Sequence, residues 1–265
     1  MSWSIERKHD HVAVVTMNTN KVNAQNPAFF DDLHAAFDRL ETEFDDCAVV
    51  LTGTGKVFSA GLDLDHHFAM FARQNIKEID DWFAAYRATN LRLFTYPRPT
   101  VAAINGHAYA GGFITAIGCD YRIAAQGDLQ FALNEVQIGV PMPAVYCEII
   151  KYAIGTQAAA ETILFGQVYD LAAASRMGLV QKTAVPDQLL DAAIAWAANV
   201  PPDCFTAYAF SKRALQATTM AAIDSAARLD LDFLSRGMSH PQSLQANARR
   251  YRELKGRDIN WTLPE

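Results

Sequence analysis

One stretch, Pro99 to Asp120, constrains the fold of this chain more than any other. It reads Pro-Thr-Val-Ala-Ala-Ile-Asn-Gly-His-Ala-Tyr-Ala-Gly-Gly-Phe-Ile-Thr-Ala-Ile-Gly-Cys-Asp. Thr100 to Ile104 is a short, unbroken run of strand formers behind a proline, which predicts a strand buried on both faces. Asn105-Gly106 is a turn signal. From Gly111 to Cys119 the residues are small or apolar with no proline, which predicts a buried helix opening on Gly111-Gly112. A helix N-terminus presents unpaired N–H groups and the positive end of the dipole. Glycines let another group approach those N–H groups closely. The stretch therefore suits an anion or a polarised carbonyl oxygen. It equally suits a tight strand-to-helix turn with glycines for packing.

Composition narrows the possible partners. The chain has 265 residues and a formal net charge of −6. That length fits one large domain, or one domain with a small helical extension. The acidic balance argues against nucleic acid, since the one basic cluster runs from Arg249-Arg250 to Arg257. Cys47, Cys119, Cys147 and Cys204 are far apart, with no metal spacing, and read as reduced core thiols of a cytoplasmic protein. Met1 to Asp10 lacks a signal-peptide core, and no run approaches the roughly 18 apolar residues of a membrane span. A soluble protein without membrane insertion is expected.

Two tempting motifs fail. Gly53-Thr54-Gly55-Lys56 resembles a phosphate loop, but Val50 stands where a glycine is needed and Val57 where a magnesium-binding hydroxyl is needed. Ser59 lacks the glycine two residues before it that a hydrolase elbow requires. His66-His67 is not a metal motif, because adjacent helix positions face different ways; a surface or loop pair is expected.

The remaining elements follow from periodicity. Strands are expected at Val12–Met17, Ala48–Thr52, Tyr121–Ala124, Leu129–Ala132 and Val180–Val185. Pro27 suits the first turn of a helix carrying Phe30, Leu33, Phe37, Leu40 and Phe44. Residues 76–96 predict an amphipathic helix with Ile79, Phe83, Tyr86, Leu91 and Phe94 inward. Further helices are expected at Tyr146–Tyr152, Gln157–Phe165, Ala172–Met177 and Asp187–Asn199. Pro201-Pro202 marks a boundary. Asp203–Leu254 reads as helical, with Ile223, Ala227, Leu231 and Leu234 on one face, and Gly256–Glu265 as irregular. Asp63 suits a helix cap. Glu135 sits among apolar neighbours in Leu133-Asn134-Glu135-Val136. Such an acid can serve as a proton-transfer base, although taken alone it is more often a solvated turn residue or a helix-start acid.

Three motifs in order resemble the enoyl-CoA hydratase/isomerase (crotonase) superfamily. They are Phe58-Ser59-Ala60-Gly61-Leu62-Asp63-Leu64, then Ile104 to Gly112 with Cys119 to Ile123, then Leu133-Asn134-Glu135 with Gly139. The loop Lys21-Val22-Asn23-Ala24 also fits. The resemblance spans nearly the whole chain and is closest to the 3-enoyl-CoA to 2-enoyl-CoA isomerase type. It implies an α/β fold, a spiral of ββα units over residues 1–199, with a helical C-terminal region over residues 200–265 used in trimerisation. It implies an acyl-CoA substrate, no separate cofactor or metal, a homotrimer or dimer of trimers, and a place in fatty acid β-oxidation. It makes the backbone N–H groups of Leu62 and Gly111 the oxyanion donors. It sets Val22, Asn23, Ala24, Ala60, Gly61, Leu62, Asp63 and Leu64 along the coenzyme, with Ile114 and Asn134 at the substrate. Of the two glutamates that the family's hydratases use, Glu135 matches one and Ile114 replaces the other. One carboxylate can still shift a double bond, by taking a proton at C2 and returning it at C4. The implied reaction is isomerisation with Glu135 as base. The alternatives are a hydratase, a thioester hydrolase, a decarboxylase or a non-catalytic CoA-binding protein.

Overall fold

The computed structural model describes residues 2–262. The N-terminal half begins with β1 (Ser4–His9), β2 (Val12–Met17), α1 (Pro27–Thr42), β3 (Ala48–Gly53), β4 (Val57–Ser59), α2 (Leu64–Ala72) and α3 (Ile76–Phe94). Next come β5 (Thr100–Ile104), β6 (His107–Tyr109), α4 (Gly111–Gly118), β7 (Tyr121–Ala125) and β8 (Gln130–Ala132). The rest comprises α5 (Ala144–Ile154), α6 (Thr156–Phe165), β9 (Val168–Asp170), α7 (Leu171–Arg176), β10 (Lys182–Ala184), α8 (Leu189–Ala197), α9 (Phe205–Met238) and α10 (Pro241–Lys255).

The strands form two sheets. The larger has the order β1-β2-β3-β5-β7-β10, parallel except for the β1–β2 pair. The smaller has the order β4-β6-β8-β9, parallel except for β8–β9. Three times, a strand of the larger sheet is followed by one of the smaller: β3 then β4, β5 then β6, β7 then β8. Helices follow each pair, so the chain advances as a spiral of ββα units.

The unbroken apolar runs are explained by cover on both faces of the larger sheet. Val12, Val14, Val50, Val101 and Ile123 pack with Leu189 and Ala193 of α8. The opposite parity, including Val15, Leu51, Ala102 and Ile104, packs into the main core with α1, α3 and α4. The strands missed from sequence are β1, β4, β6 and β9. β1 pairs on one side only and exposes Glu6, Arg7 and Lys8, while the other three are three residues long.

The helical reading of residues 203–254 holds except at Ser239-His240: α9 ends at Met238 and α10 starts at Pro241, a helix N1 residue whose missing N–H cannot continue the preceding ladder. On the expected face, Ile223 and Leu234 are buried, Ala227 is half-buried, and the Leu231 side chain lies outside the described residues. His67 is 1% exposed on α2, so the pair splits, with His66 outward and His67 inward. Cys47 and Cys119 are core thiols as expected, but Cys204 is exposed and Cys147 half-buried. No helix of the described residues is long and apolar enough to cross a membrane.

Candidate active site

The site forms where β6 turns into α4. Ala110 has φ 50 and ψ −122, a left-handed conformation costly for a residue with a Cβ. It is held there from both sides. Its N–H donates to the carbonyl of Ala132 on β8 at 2.8 Å, and its carbonyl accepts from the Ile114 N–H at 3.1 Å. The turn starts α4 at Gly111, and the Gly111 N–H takes no acceptor from the described residues.

The second strand of the site runs from Gly61 to Asp63. Gln25 forms a parallel bridge with Leu62. The Gln25 N–H donates to the Gly61 carbonyl at 2.8 Å, and the Asp63 N–H donates to the Gln25 carbonyl at 3.1 Å. Leu62 lies between these bonds, so its own N–H points away from Gln25. That N–H also takes no acceptor from the described residues. Gly61 has φ +78, and a Cβ there would stand 2.8 Å from the Gly111 nitrogen. Only a glycine lets these two segments touch. The Leu62 and Gly111 peptides thus sit side by side with free N–H groups.

The loop residues divide into linings and supports. Val22 is exposed, and Ala24, Ala60, Leu62, Asp63 and Leu64 are half-buried. Asn23 is fully buried in a left-handed turn with φ 47. Its amide donates to the Phe58 carbonyl at 3.2 Å, and Ser59 Oγ donates to its carbonyl at 2.8 Å. The Asn23 side chain is therefore a support for the loop. Asp63 caps α2, accepting from the Asp65 N–H at 3.0 Å.

Glu135 follows β8, at the start of a 3-10 turn over Val136–Ile138. Its carbonyl accepts from the Ile138 N–H at 3.0 Å and the Val140 N–H at 2.9 Å. From α10, Asn247 Nδ2 donates to the Ile138 carbonyl and steadies the turn. Glu135 is 8% exposed, and its Oε2 is buried with no hydrogen-bond partner. Burial pushes its carboxyl up to about 7. The solvated-turn reading of this acid is thus overturned. Its neighbour Asn134 is half-buried.

Aromatic side chains close the site. Tyr86 stacks on Trp82 at 5.4 Å between ring centroids, and meets Tyr146 and Phe30 edge-on at 5.4 and 5.3 Å. Burial first, then the Glu135 charge, raise the Tyr86 hydroxyl above its ordinary range. Ile114, one turn into α4, is 4% exposed within the apolar core. His67 Nδ1 lies 2.9 Å from the Asp63 carbonyl, which can only accept; the ring therefore carries its proton there, and burial pushes its pKa down to about 3. Sequence reasoning placed Tyr86 only as a buried helix face and did not single out Gln25 or Ala110. Their roles depend on contacts made across the fold, which leave no local pattern.

Known proteins are similar to this chain in sequence and in fold. The family model for enoyl-CoA hydratase/isomerase matches residues 7–262. A Thermus thermophilus protein named putative enoyl-CoA hydratase is 33% identical over 229 residues, covering 85% of this chain and 88% of its own length. Human mitochondrial enoyl-CoA delta isomerase 1 is 30% identical over 251 residues, covering 92% of this chain and 82% of its own. The crystal structure of human mitochondrial delta3-delta2-enoyl-CoA isomerase matches with a TM-score of 0.87 at 25% identity, covering 97% of this chain and 99% of that one.

Proposed function

We propose that this chain, which belongs to the enoyl-CoA hydratase/isomerase family, shifts the double bond of a 3-enoyl-CoA to position 2 with Glu135 as its base. The observation that carries the reading is a buried Glu135 carboxylate whose Oε2 has no hydrogen-bond partner, together with an apolar residue at Ile114. Ile114 stands where the family's hydratases are expected to carry a second acid. Adding water needs one group to orient the water and another to protonate carbon. Moving a double bond needs one group that takes and returns the same proton.

The steps balance within the substrate. Ionised Glu135 removes a proton from C2, and the C–H electrons enter the thioester as an enolate. The negative charge on the thioester oxygen is held by the Leu62 and Gly111 N–H groups, the latter at the positive end of α4. Loss of one such donor typically costs about 2.7–4 kcal/mol of transition-state stabilisation. The enolate electrons then form the C2=C3 bond. The former C3=C4 pair takes the proton from Glu135 at C4. Burial raises the affinity of Glu135 for the proton, which suits a group that must take it and give it back.

The reading includes no cofactor beyond the coenzyme A that the substrate carries, and a cytoplasmic location. It also includes a homotrimer or dimer of trimers, assembled through residues 200–265. The exposed apolar side chains of Phe210, Leu215 and Phe233 on α9 support assembly there. The test compares two rates at matched acyl length: isomerisation of 3-enoyl-CoA and hydration of 2-enoyl-CoA. Isomerisation is expected to be far faster. Hydration equal to or faster than isomerisation would overturn the reading in favour of a hydratase.

A further inference from the structure

Gln25 touches both halves of the oxyanion site, and no motif of the family resemblance includes it. Its backbone brackets Leu62, through the Gly61 carbonyl on one side and the Asp63 N–H on the other. Its side chain reaches the other half. Gln25 Nε2 donates to Thr115 Oγ1 at 2.9 Å, and Thr115 Oγ1 donates to the Gly111 carbonyl at 3.0 Å. Gln25 and Thr115 are each 1% exposed.

The hydrogen-bond directions form one consistent set. The Thr115 hydroxyl has one proton, committed to the Gly111 carbonyl, so it offers Gln25 only lone pairs. Gln25 must present its amide N–H₂ to Thr115, which turns Oε1 towards Gly111 and Tyr86. A Cβ added to Gly111 would meet Oε1 at 2.2 Å, and the Tyr86 hydroxyl donates to Oε1 at 3.4 Å. The amide thus seats against the Gly111 Cα while its other end holds the Gly111 carbonyl through Thr115. Gly111 is held at its Cα and at its carbonyl, while its N–H, on the preceding peptide, takes no acceptor from the described residues.

We propose that Gln25 is a positioning residue that sets the spacing and direction of the two thioester-oxygen donors, Leu62 N–H through its backbone and Gly111 N–H through its amide and Thr115. The proposal rests on the reading that these two N–H groups bind the thioester oxygen. It needs no contact between Gln25 and the substrate. Oxyanion donors act by being held in place before charge develops, and misplacement of about 1 Å can cost about 100-fold in rate.

The test uses Gln25→Leu, which keeps the backbone pairing and removes the amide. A saturated acyl-CoA labelled with carbon-13 at its thioester carbonyl is bound to each protein and read by isotope-edited infrared spectroscopy. On the wild-type protein the carbonyl band is expected to move to lower frequency than in solution. In Gln25→Leu it is expected to return towards the solution position, while kcat falls about 10- to 100-fold with KM little changed. Thr115→Val cuts the same link from the helix side with Gln25 in place, and should reproduce both effects if Gln25→Leu folds poorly. The double variant should lose no more than the worse single one, because both break one chain of bonds. A wild-type band position and wild-type kcat in the two single variants would overturn the proposal. A wild-type protein whose bound carbonyl band does not move would instead overturn the oxyanion reading beneath it.

Discussion

The Cα of Gly61 rests against the backbone nitrogen of Gly111, so close that a Cβ on Gly61 would stand 2.8 Å from that nitrogen and 2.7 Å from the Tyr109 carbonyl oxygen. Residues 50 positions apart are thereby brought into van der Waals contact without a side chain between them. This contact sets the Leu62 and Gly111 peptides side by side. It also explains why the loop after β4 and the turn before α4 must be built together.

Gly61→Ala should therefore damage both fold and chemistry. The left-handed φ of +78 already disfavours a Cβ, and the contacts on Ala110, Tyr109 and Gly111 are with backbone or its nearest atoms. We expect a stability loss of about 1–3 kcal/mol, together with a kcat at least 10-fold lower in the folded fraction. Urea melts and kcat on 3-enoyl-CoA check the two parts. A variant with normal kcat would show that the two peptides need not touch.

Gly111→Val tests the other side of the same contact. Its Cβ would fall 2.2 Å from Gln25 Oε1 and 2.9 Å from the Tyr86 hydroxyl, both ends of side chains. The fold should survive by displacing them, as circular dichroism can check. Most of the activity should be lost. An active and well-folded variant would show that the thioester oxygen binds elsewhere.

Glu135→Gln should abolish turnover while acyl-CoA still binds, measured by isothermal titration beside the kinetic assay. Near wild-type turnover would remove Glu135 from the role of base. In the wild type, kcat/KM should rise with pH through about 7, the value to which burial pushes the Glu135 carboxyl, because the ionised form is the base.

The same buried acid predicts a stability signature. The folded protein holds the Glu135 proton up to about pH 7, whereas the unfolded chain releases it near the ordinary carboxylate value of 4.5. Between these values the native state binds more protons, so the Glu135 contribution is fully present below the lower value and is lost as pH rises through the upper one. Glu135→Gln removes this loss. Its melting temperature, relative to the wild type, should be higher at pH 8 than at pH 5. Equal differences at the two pH values would mean that Glu135 is not buried as a carboxylate in solution.

Ile114→Glu should lower the melting temperature, since position 114 is 4% exposed and an unpaired charge is costly there. In the protein that folds, the ratio of hydration to isomerisation should increase. An unchanged ratio would show that the missing second acid does not decide between the two reactions.

The strands β2, β3, β5 and β7 were legible from sequence because each is an apolar run covered on both faces, a property of the strand itself. The start of α1 at Pro27, the cap at Asp63 and the opening of α4 on Gly111 were legible for the same reason: each rests on the backbone chemistry of a few adjacent residues. The order of the motifs carried the family. Other features depended on distant partners. β4, β6 and β9 exist because three residues find a neighbouring strand, not because they carry a pattern. Glu135 could have been a solvated turn; the turn's tie to α10 and the burial of its Oε2 without a partner decide otherwise. Gln25 looked like one polar residue in a polar loop, and acquires its place from Thr115, 90 positions away. Local sequence determined where the chain turns, extends and coils. Only the tertiary structure decided which polar groups lose water and which of them meet, because desolvation depends on everything packed around a group.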